Sequence, residues 1–403
     1  MASGRRVLSL STFLKKARQT VGLSGIHGAR AHGPGAGGSE LGDGRMTFVM
    51  GNQASDLDSM VCCVVYSFFL QVRALSKGSR CRYSPLINIP RKHFRLRGDA
   101  SEAFAQANID VDSIPFLDDV DLKQMAESKS IEMVLVDHNK LSASQGFLSP
   151  HVVSIVDHHV DEKEYLSTTA SRRNIHATGS CATLVALEIL SSSVGSSVVC
   201  PEIAYLLSSV ILVDTCNLDP KMNKTTQKDL DALALLEKKG GVLKKDYSKL
   251  FNKILNDRND ISNLSSEELL IKDTKFGLVN GLHFAIAGVG LDLRAWVFRD
   301  DKLIDAFQSF RKQHKLQFAM AMTVFTDSKG IFRREMMIVG SPSVTKHVEK
   351  SLLASDLKLS PISIGIGAPE KESEVYWCTF EQGNVKASRK QLMPLLKSIL
   401  THR

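Results

Sequence analysis

Apolar residues recur along this chain in short runs, each ending at a polar cluster. Met46-Thr47-Phe48-Val49-Met50 leads into Gly51-Asn52-Gln53-Ala54-Ser55-Asp56-Leu57-Asp58-Ser59. Met133–Val136 leads into Asp137-His138-Asn139, Val152–Val156 into Asp157-His158-His159, and Val210–Val213 into Asp214-Thr215. The runs predict β-strands, and Tyr83–Ile89 predicts another. Helical stretches separate them: one opening near Ser59, then Ser101–Asn108, Leu122–Ser128, and Cys181–Ser191 behind Ser180. Ile203–Leu212 predicts a further helix, continuous with the run that ends at Asp214, and periodicity does not say where helix gives way to strand there. The alternation predicts an α/β domain, doubly wound around a mainly parallel sheet.

The pattern then changes. Residues 224–247 read as two helices broken at Gly240-Gly241, a bridge to a second domain. Beyond it, Leu282–Gly290, Leu316–Thr326, Phe332–Val339 and Tyr376–Phe380 predict strands, with helices near Leu291–Phe298 and Ser343–Ala354. A smaller α+β domain with a mixed sheet is expected.

At 403 residues and 43% hydrophobic content, the chain has room for two cored domains. The longest apolar candidate, Met60–Val72, contains Ser67 and Gln71 and falls short of a membrane span, so a buried helix is expected. The net charge is +8, and much of it sits in the first 46 residues, where Arg5, Arg6, Lys15, Lys16, Arg18, Arg30 and Arg45 face only Glu40 and Asp43. The rest is too weakly basic for a sequence-reading nucleic-acid binder. Residues 1–45 read as an addition to the fold: a disordered basic tail or a mitochondrial transit peptide. A helix through Leu8–Val21 would gather Leu10, Phe13, Leu14, Ala17 and Val21 on one face. A cytoplasmic location is expected, or the mitochondrial matrix if that tail is a transit peptide. The seven cysteines form no C-x-x-C pair and mostly lie in apolar runs, which suits a reducing compartment.

In an open parallel sheet the carboxyl ends of neighbouring strands line one crevice, so the four clusters predict a convergent site. Crowded carboxylates repel, and bound cations answer that. Asp56 and Asp58, two apart in a tight loop, can point at one centre. Asp137 can bridge two ions, His158 supplies an imidazole, and Asp214 closes the set. Oxygen donors with one or two nitrogens favour Mg²⁺ or Mn²⁺ over structural zinc. Two such ions, about 3.5–4 Å apart, can hold a hydroxide for phosphoryl transfer. Singly, each residue has a plainer reading: Asp56 or Asp58 as a helix N-cap, Asp157-His158-His159 as a solvated turn, Asp214-Thr215 as an element end.

The ordered set N-x-x-x-D-L-D-S, D-H-N, D-H-H, D-T resembles the DHH phosphoesterase superfamily. Gly51-Asn52 with Asp56–Ser59, and Gly179-Ser180-Cys181-Ala182-Thr183-Leu184-Val185, resemble its eukaryotic exopolyphosphatase and prune branch. The resemblance implies a DHH domain over residues 46–235, a linker at 236–247 and a DHHA2 domain over 248–403, with the active site in the cleft between them. It implies Asp56, Asp58, Asp137, His158 and Asp214 as ligands of two divalent cations (Mn²⁺ or Mg²⁺, with Co²⁺ also compatible) and His159 facing the phosphate. Asn52 stands where related manganese pyrophosphatases carry a ligand histidine, a swap typical of exopolyphosphatases. Gln53 departs from the acid often found there. Ser388-Arg389-Lys390 matches the phosphate-gripping motif of DHHA2, though by itself Arg389-Lys390 reads as a solvated pair. Arg258 stands where relatives carry a phosphate-binding Lys, and Lys92 and Arg95 could extend a track for a longer polyanion. His138, Asn139 and His176 are lesser candidates.

The function implied is removal of terminal phosphate from linear inorganic polyphosphate. A pyrophosphatase or cyclic-nucleotide phosphodiesterase on the same scaffold is the enzymatic alternative, and a regulatory protein without turnover is the third. Neither sequence-specific nucleic acid nor a membrane is an expected partner, and the oligomeric state stays open.

Overall fold

A computed structural model describes residues 8–26, 45–169, 172–367 and 374–402. The contacts divide the chain into two units, Met1–Arg258 and Asn259–Arg403.

In the first unit, β1 (Met46–Met50), β2 (Arg82–Leu86), β3 (Ile131–Val136), β4 (Val152–Asp157) and β5 (Arg173–Ile175) form one sheet in the order β2-β1-β3-β4-β5. Every pairing is parallel. Side chains alternate across it. Val49, Val134, Val136 and Val156 enter a core shared with the helices Leu57–Ser76, Cys181–Ser191 and Pro201–Asp214. Phe48, Met50, Met133, Leu135 and Ile155 enter a second core on the opposite face. Both faces are thus covered, as expected of a doubly wound sheet, and each fully buried Phe or Leu contributes about 1.5–3 kcal/mol. The order places β1 between β2 and β3, so the winding reverses there. In such sheets ligands bind at the carboxyl ends of the strands on either side of the reversal, here β1 and β3.

Three expectations change. Val210–Val213 is not a strand but the last turn of the helix Pro201–Asp214. That segment is apolar around nearly its whole circumference and buried from Ile203 to Val213 except for the half-buried Tyr205, so no one-sided stripe marks it as helical. Asp214 therefore arrives from a helix C-terminus, while the sheet takes its fifth strand from the polar segment Arg173–Ile175.

Residues 10–26 are part of the fold. Leu10–Ile26 is a helix that buries Leu10, Phe13, Leu14, Ala17 and Val21, the face the periodicity predicts. Leu10, Phe13 and Leu14 join one core and Val21 the other, so the helix wraps the β2 edge of the sheet. Arg18 pairs with Asp119 at 2.9 Å. Residues 1–7 and 27–44, the rest of the expected tail, lie outside the described residues.

The expected linker, 236–247, lies inside the first unit. Gly240 and Gly241 do break the chain between the helices Gln227–Glu237 and Tyr247–Asn259. Tyr247, Leu250 and Ile254 then return the chain to the first core, which moves the division to Arg258/Asn259.

The second unit contains β6 (Thr274–Val279), β7 (Leu282–Val289), β8 (Phe318–Thr323), the short ribbon β9 (Phe325–Thr326) and β10 (Phe332–Arg333), β11 (Glu335–Gly340), β12 (Leu359–Pro361) and β13 (Tyr376–Gln382). Six of these form a sheet in the order β12-β13-β11-β8-β7-β6. The β7/β8 pair is parallel and the others antiparallel, the mixed sheet expected. Helices Pro342–Leu353 and Arg389–Thr401 cover one face over Phe284, Phe318, Ile338 and Phe380.

Candidate metal centre

The site assembles at the carboxyl ends of β1, β3 and β4. From β1 the chain turns through Gly51, where a Cβ would stand 2.7 Å from that of Ser59. This close approach lets Asn52 N–H donate to Ser59 Oγ at 3.0 Å. The Asn52 side chain does two things. Its Oδ1 accepts from the Ala54 and Ser55 amides, closing the loop, and its Nδ2 donates to Asp137 Oδ2 at 2.8 Å. Arg97 holds the same loop from outside, donating to the Ser55 and Ala54 carbonyls. Asp56 caps the helix Leu57–Ser76, its Oδ1 accepting from Ser59 N–H at 3.1 Å. The plain N-cap reading of Asp56 is therefore also true, and its carboxylate lies near enough to Asp58 for the two charges to interact.

Asp137 is the hub. It is 3% exposed, follows β3 directly, and takes a left-handed backbone (φ 60°) that an aspartate adopts at some strain. Asn52 and the Ser59 hydroxyl (2.7 Å) both donate to its Oδ2, while Oδ1 faces His158 Nε2 at 3.3 Å. His158 Nδ1 lies 3.0 Å from the Thr178 carbonyl. A carbonyl only accepts, so that nitrogen carries a proton and Nε2 is the one aimed at Asp137.

Asp58, also 3% exposed, lies at the start of the helix Cys181–Ser191. Its Oδ2 accepts from Ser180 Oγ and Cys181 N–H, and its Oδ1 from Ala182 N–H and the Cys62 thiol. A helix N-terminus favours such a charge. Asp214 is placed badly by the same rule, at a helix C-terminus, and its buried Oδ2 has no hydrogen-bond partner among the described residues. Burial, then the charge of Asp58, pushes the Asp214 carboxyl well above its ordinary value.

Burial and the Asp58 charge likewise push Asp137 up to about 7. Burial alone would lower His158, but its contact with Asp137 and the charge of Asp58 outweigh that and hold it up to about 9. Without a cation, these crowded groups offset the Asp58 charge by holding protons more tightly. The donor set fits a divalent cation. Asp137, His158 and His159 bring their ligand atoms within 4.8 Å of one another, Asp58 and Asp137 lie near enough for their charges to act on Asp214, and the orphaned Asp214 Oδ2 needs a positive partner.

The D-H-H cluster divides its labour. Asp157 is fully buried and accepts from His159 Nδ1 at 2.8 Å and from Asn139 Nδ2, so it orients His159. His159 remains more than half exposed, and its ligand atom lies within 4.8 Å of those of Asp137 and His158. The sequence reading missed Asp157, Ser59, Thr178 and Ser180 as supports; only Ser180, a hydroxyl before an apolar helix, carried a recognisable signal. His138 turns back to the Val136 carbonyl, His176 and Gln53 are exposed, and Asn139 serves Asp157.

The expected phosphate-binding cations are placed differently. Arg258 Nε donates to the buried Asp99 at 2.6 Å, so part of its guanidinium is committed to the fold. In the second unit Ser388 caps the helix Arg389–Thr401, with its hydroxyl donating to Gln391. Arg389 pairs with Asp273 through its side chain and backbone carbonyl, and Lys390 is exposed. Lys92 and Arg95 are exposed in the first unit.

Comparison with known proteins agrees with this architecture. Residues 46–211 match the family described as "DHH family, N-terminal domain", and residues 252–399 match "DHHA2 domain". The exopolyphosphatase PRUNE1 of Homo sapiens is 30% identical over 357 residues, covering 88% of this chain and 75% of that protein. A Schizosaccharomyces pombe protein assigned as an exopolyphosphatase is 31% identical over 368 residues, covering 87% and 90%. A solved Methanococcus jannaschii structure assigned as a family II inorganic pyrophosphatase shares the fold, with a TM-score of 0.51 at 20% identity over 88% of this chain and 99% of that one.

Proposed function

Because the chain belongs to the DHH phosphoesterase superfamily, in the branch that joins a DHH to a DHHA2 domain, we propose that it is an exopolyphosphatase, a hydrolase releasing orthophosphate from the ends of linear inorganic polyphosphate. The observation that carries this reading is Asp137, a nearly buried carboxylate with His158 at one oxygen and Asn52 and Ser59 donating to the other. With Asp56, Asp58, Asp214 and His158 it would hold two divalent cations, Mn²⁺ or Mg²⁺ by donor type. When bound, such cations neutralise the phosphate oxygens and lower the pKa of the attacking water.

The protein's own groups do the rest. Asn52 and Ser59 keep Asp137 in one orientation, and Thr178 keeps the His158 proton on Nδ1. His159, oriented by Asp157, presents Nε2 to the phosphate, where a protonated ring would donate to a non-bridging oxygen. The hydrogen bond to Asp157 raises the His159 pKa, which favours that form. In the second unit Arg389 and Lys390 would bind phosphate oxygens, Arg389 by exchanging the exposed Asp273 for phosphate.

The test is phosphate release from pyrophosphate, tripolyphosphate, long polyphosphate and cyclic nucleotides, each with Mn²⁺, with Mg²⁺ and with chelator. Metal-dependent release that is fastest on polyphosphates supports the reading. Preference for pyrophosphate or a cyclic nucleotide overturns the substrate, and release that persists in chelator overturns the metal centre.

A further inference from the structure

A single buried carboxylate outside the cluster ties together the turn that supports it. Asp229, in the first turn of the helix Gln227–Glu237, is 0% exposed. Both its oxygens accept from Gly179 N–H, at 3.1 and 2.9 Å. Oδ1 also accepts from the Thr183 hydroxyl, and Oδ2 from the Thr226 amide and hydroxyl, each at 2.7 Å. Gly179 is wedged in place: a Cβ there would stand 2.5 Å from Thr215 Cγ2 and 2.9 Å from Asp229 Oδ2.

What the turn carries makes this placement matter. Thr178 presents the carbonyl that fixes the His158 tautomer. Ser180, Cys181 and Ala182 present three of the donors that hold Asp58. Thr215, packed against Gly179, directly follows Asp214. The residues that would ligate cations from β1, from β4 and from the helix Pro201–Asp214 are therefore all referenced to one turn, and Asp229 grips both ends of it.

We propose that Asp229 is a positioning residue that sets the cation affinity of the centre through the 178–183 turn, while touching neither substrate nor cation. The inference rests on the metal-centre reading above. With the turn released, the Ser180, Cys181 and Ala182 donors and the Thr178 carbonyl shift together, so Asp58 and His158 lose their orientation at once. Groups that orient ligands in this way typically change metal affinity by about 10–100-fold when altered.

The test uses the full chain, stripped with chelator and titrated with Mn²⁺, with binding read by calorimetry and by the electron paramagnetic resonance of the ion. Binding by the unaltered protein is the premise, and its absence defeats the metal centre itself. Given that binding, Asp229→Asn is expected to weaken Mn²⁺ affinity by about tenfold or more and to alter the resonance of bound Mn²⁺. Thr183→Val, isosteric and lacking one donor to Asp229, is expected to shift affinity in the same direction and decides the matter if Asp229→Asn does not fold. Thr226→Ala removes a donor and a cap on the far side of Asp229. It is expected to lower the melting temperature while leaving Mn²⁺ affinity within about twofold. Unchanged affinity in a folded Asp229→Asn, or in Thr183→Val if that variant decides, overturns the proposal. So does an affinity loss that simply follows melting temperature across the variants.

Discussion

His158 Nδ1 stands 3.0 Å from the Thr178 carbonyl, and this contact leaves the opposite nitrogen, Nε2, facing Asp137 Oδ1 at 3.3 Å. A backbone atom from a different loop thus fixes the ring, and the imidazole cannot turn away without losing a part-buried hydrogen bond. Metal-ligating histidines are commonly oriented by a second hydrogen bond of this kind.

Asp137→Asn tests the hub. The amide keeps the shape and loses the charge that two cations would share. Phosphate release is expected to fall by about a hundredfold or more, and Mn²⁺ binding with it. The chelated variant should still fold, with the circular dichroism of the parent, because the amide keeps the carboxylate's shape and one accepting oxygen. Retained phosphate release at parental rates refutes the role.

The pH dependence of the chelated protein has a definite sign. Asp137, pushed up to about 7 by burial and the Asp58 charge, keeps a proton in the folded state that the unfolded chain releases near pH 4. Its contribution is lost as pH climbs through that window. His158 is held up to about 9 by Asp137 against burial, so its contribution is complete below about pH 6.5 and lost on passing its folded value. Both act in one direction. Thermal melts in chelator should fall from about pH 5.5 to about pH 9, and Mn²⁺ should close most of that gap. A chelated melting temperature that rises across the range contradicts the account.

Arg389→Ala separates binding from turnover. Its partner Asp273 is 61% exposed, so losing the pair should change stability by less than about 1 kcal/mol. A KM for polyphosphate raised about tenfold or more, with a smaller change in kcat, is expected if the guanidinium grips phosphate. An unmoved KM at every chain length removes Arg389 from the substrate site.

Arg258→Ala should report on the fold first. Asp99 is 4% exposed and would lose a charged donor, at a cost of about 1–3 kcal/mol in urea denaturation. If stability is unmoved while KM rises, Arg258 serves substrate and its contact with Asp99 is incidental.

Phe13→Ala probes the N-terminal helix. Phe13 is 3% exposed and packs against Phe68 with ring centroids 5.6 Å apart. Truncating it should destabilise the first unit by about 3–5 kcal/mol in chemical denaturation. A loss below about 0.5 kcal/mol means that the helix is dispensable.

The sequence was most readable where a periodicity met a strong boundary. Cys181–Ser191 was legible to the residue, because Ser180 caps it and a clean apolar run fills it. The N-terminal helix was legible as a face, Leu10 to Val21, although its basic composition suggested a tail. Val210–Val213 misled, because a helix buried almost all round and a buried strand share one apolar signature. β5 stayed hidden for the opposite reason, since Arg173-Asn174-Ile175 has too few apolar positions to announce an edge strand. The acids and histidines of the cluster were visible because charged groups after apolar runs are conspicuous. Their supports were not: Ser59, Thr178 and Asp229 act through hydrogen bonds to groups remote in the chain, and local spacing carries no trace of those.

That remoteness has a consequence for synthesis. Asn52 meets Asp137 across 85 residues, Asp58 meets Cys181 across 123, and Asp99 meets Arg258 across 159. A ribosome extrudes the first acids long before the residues that cradle them, so the nascent polypeptide carries unneutralised carboxylates and bare valine strands together. Asp99 stays without its native partner until the last helix of the first unit has been made, an interval in which bare apolar strands favour association.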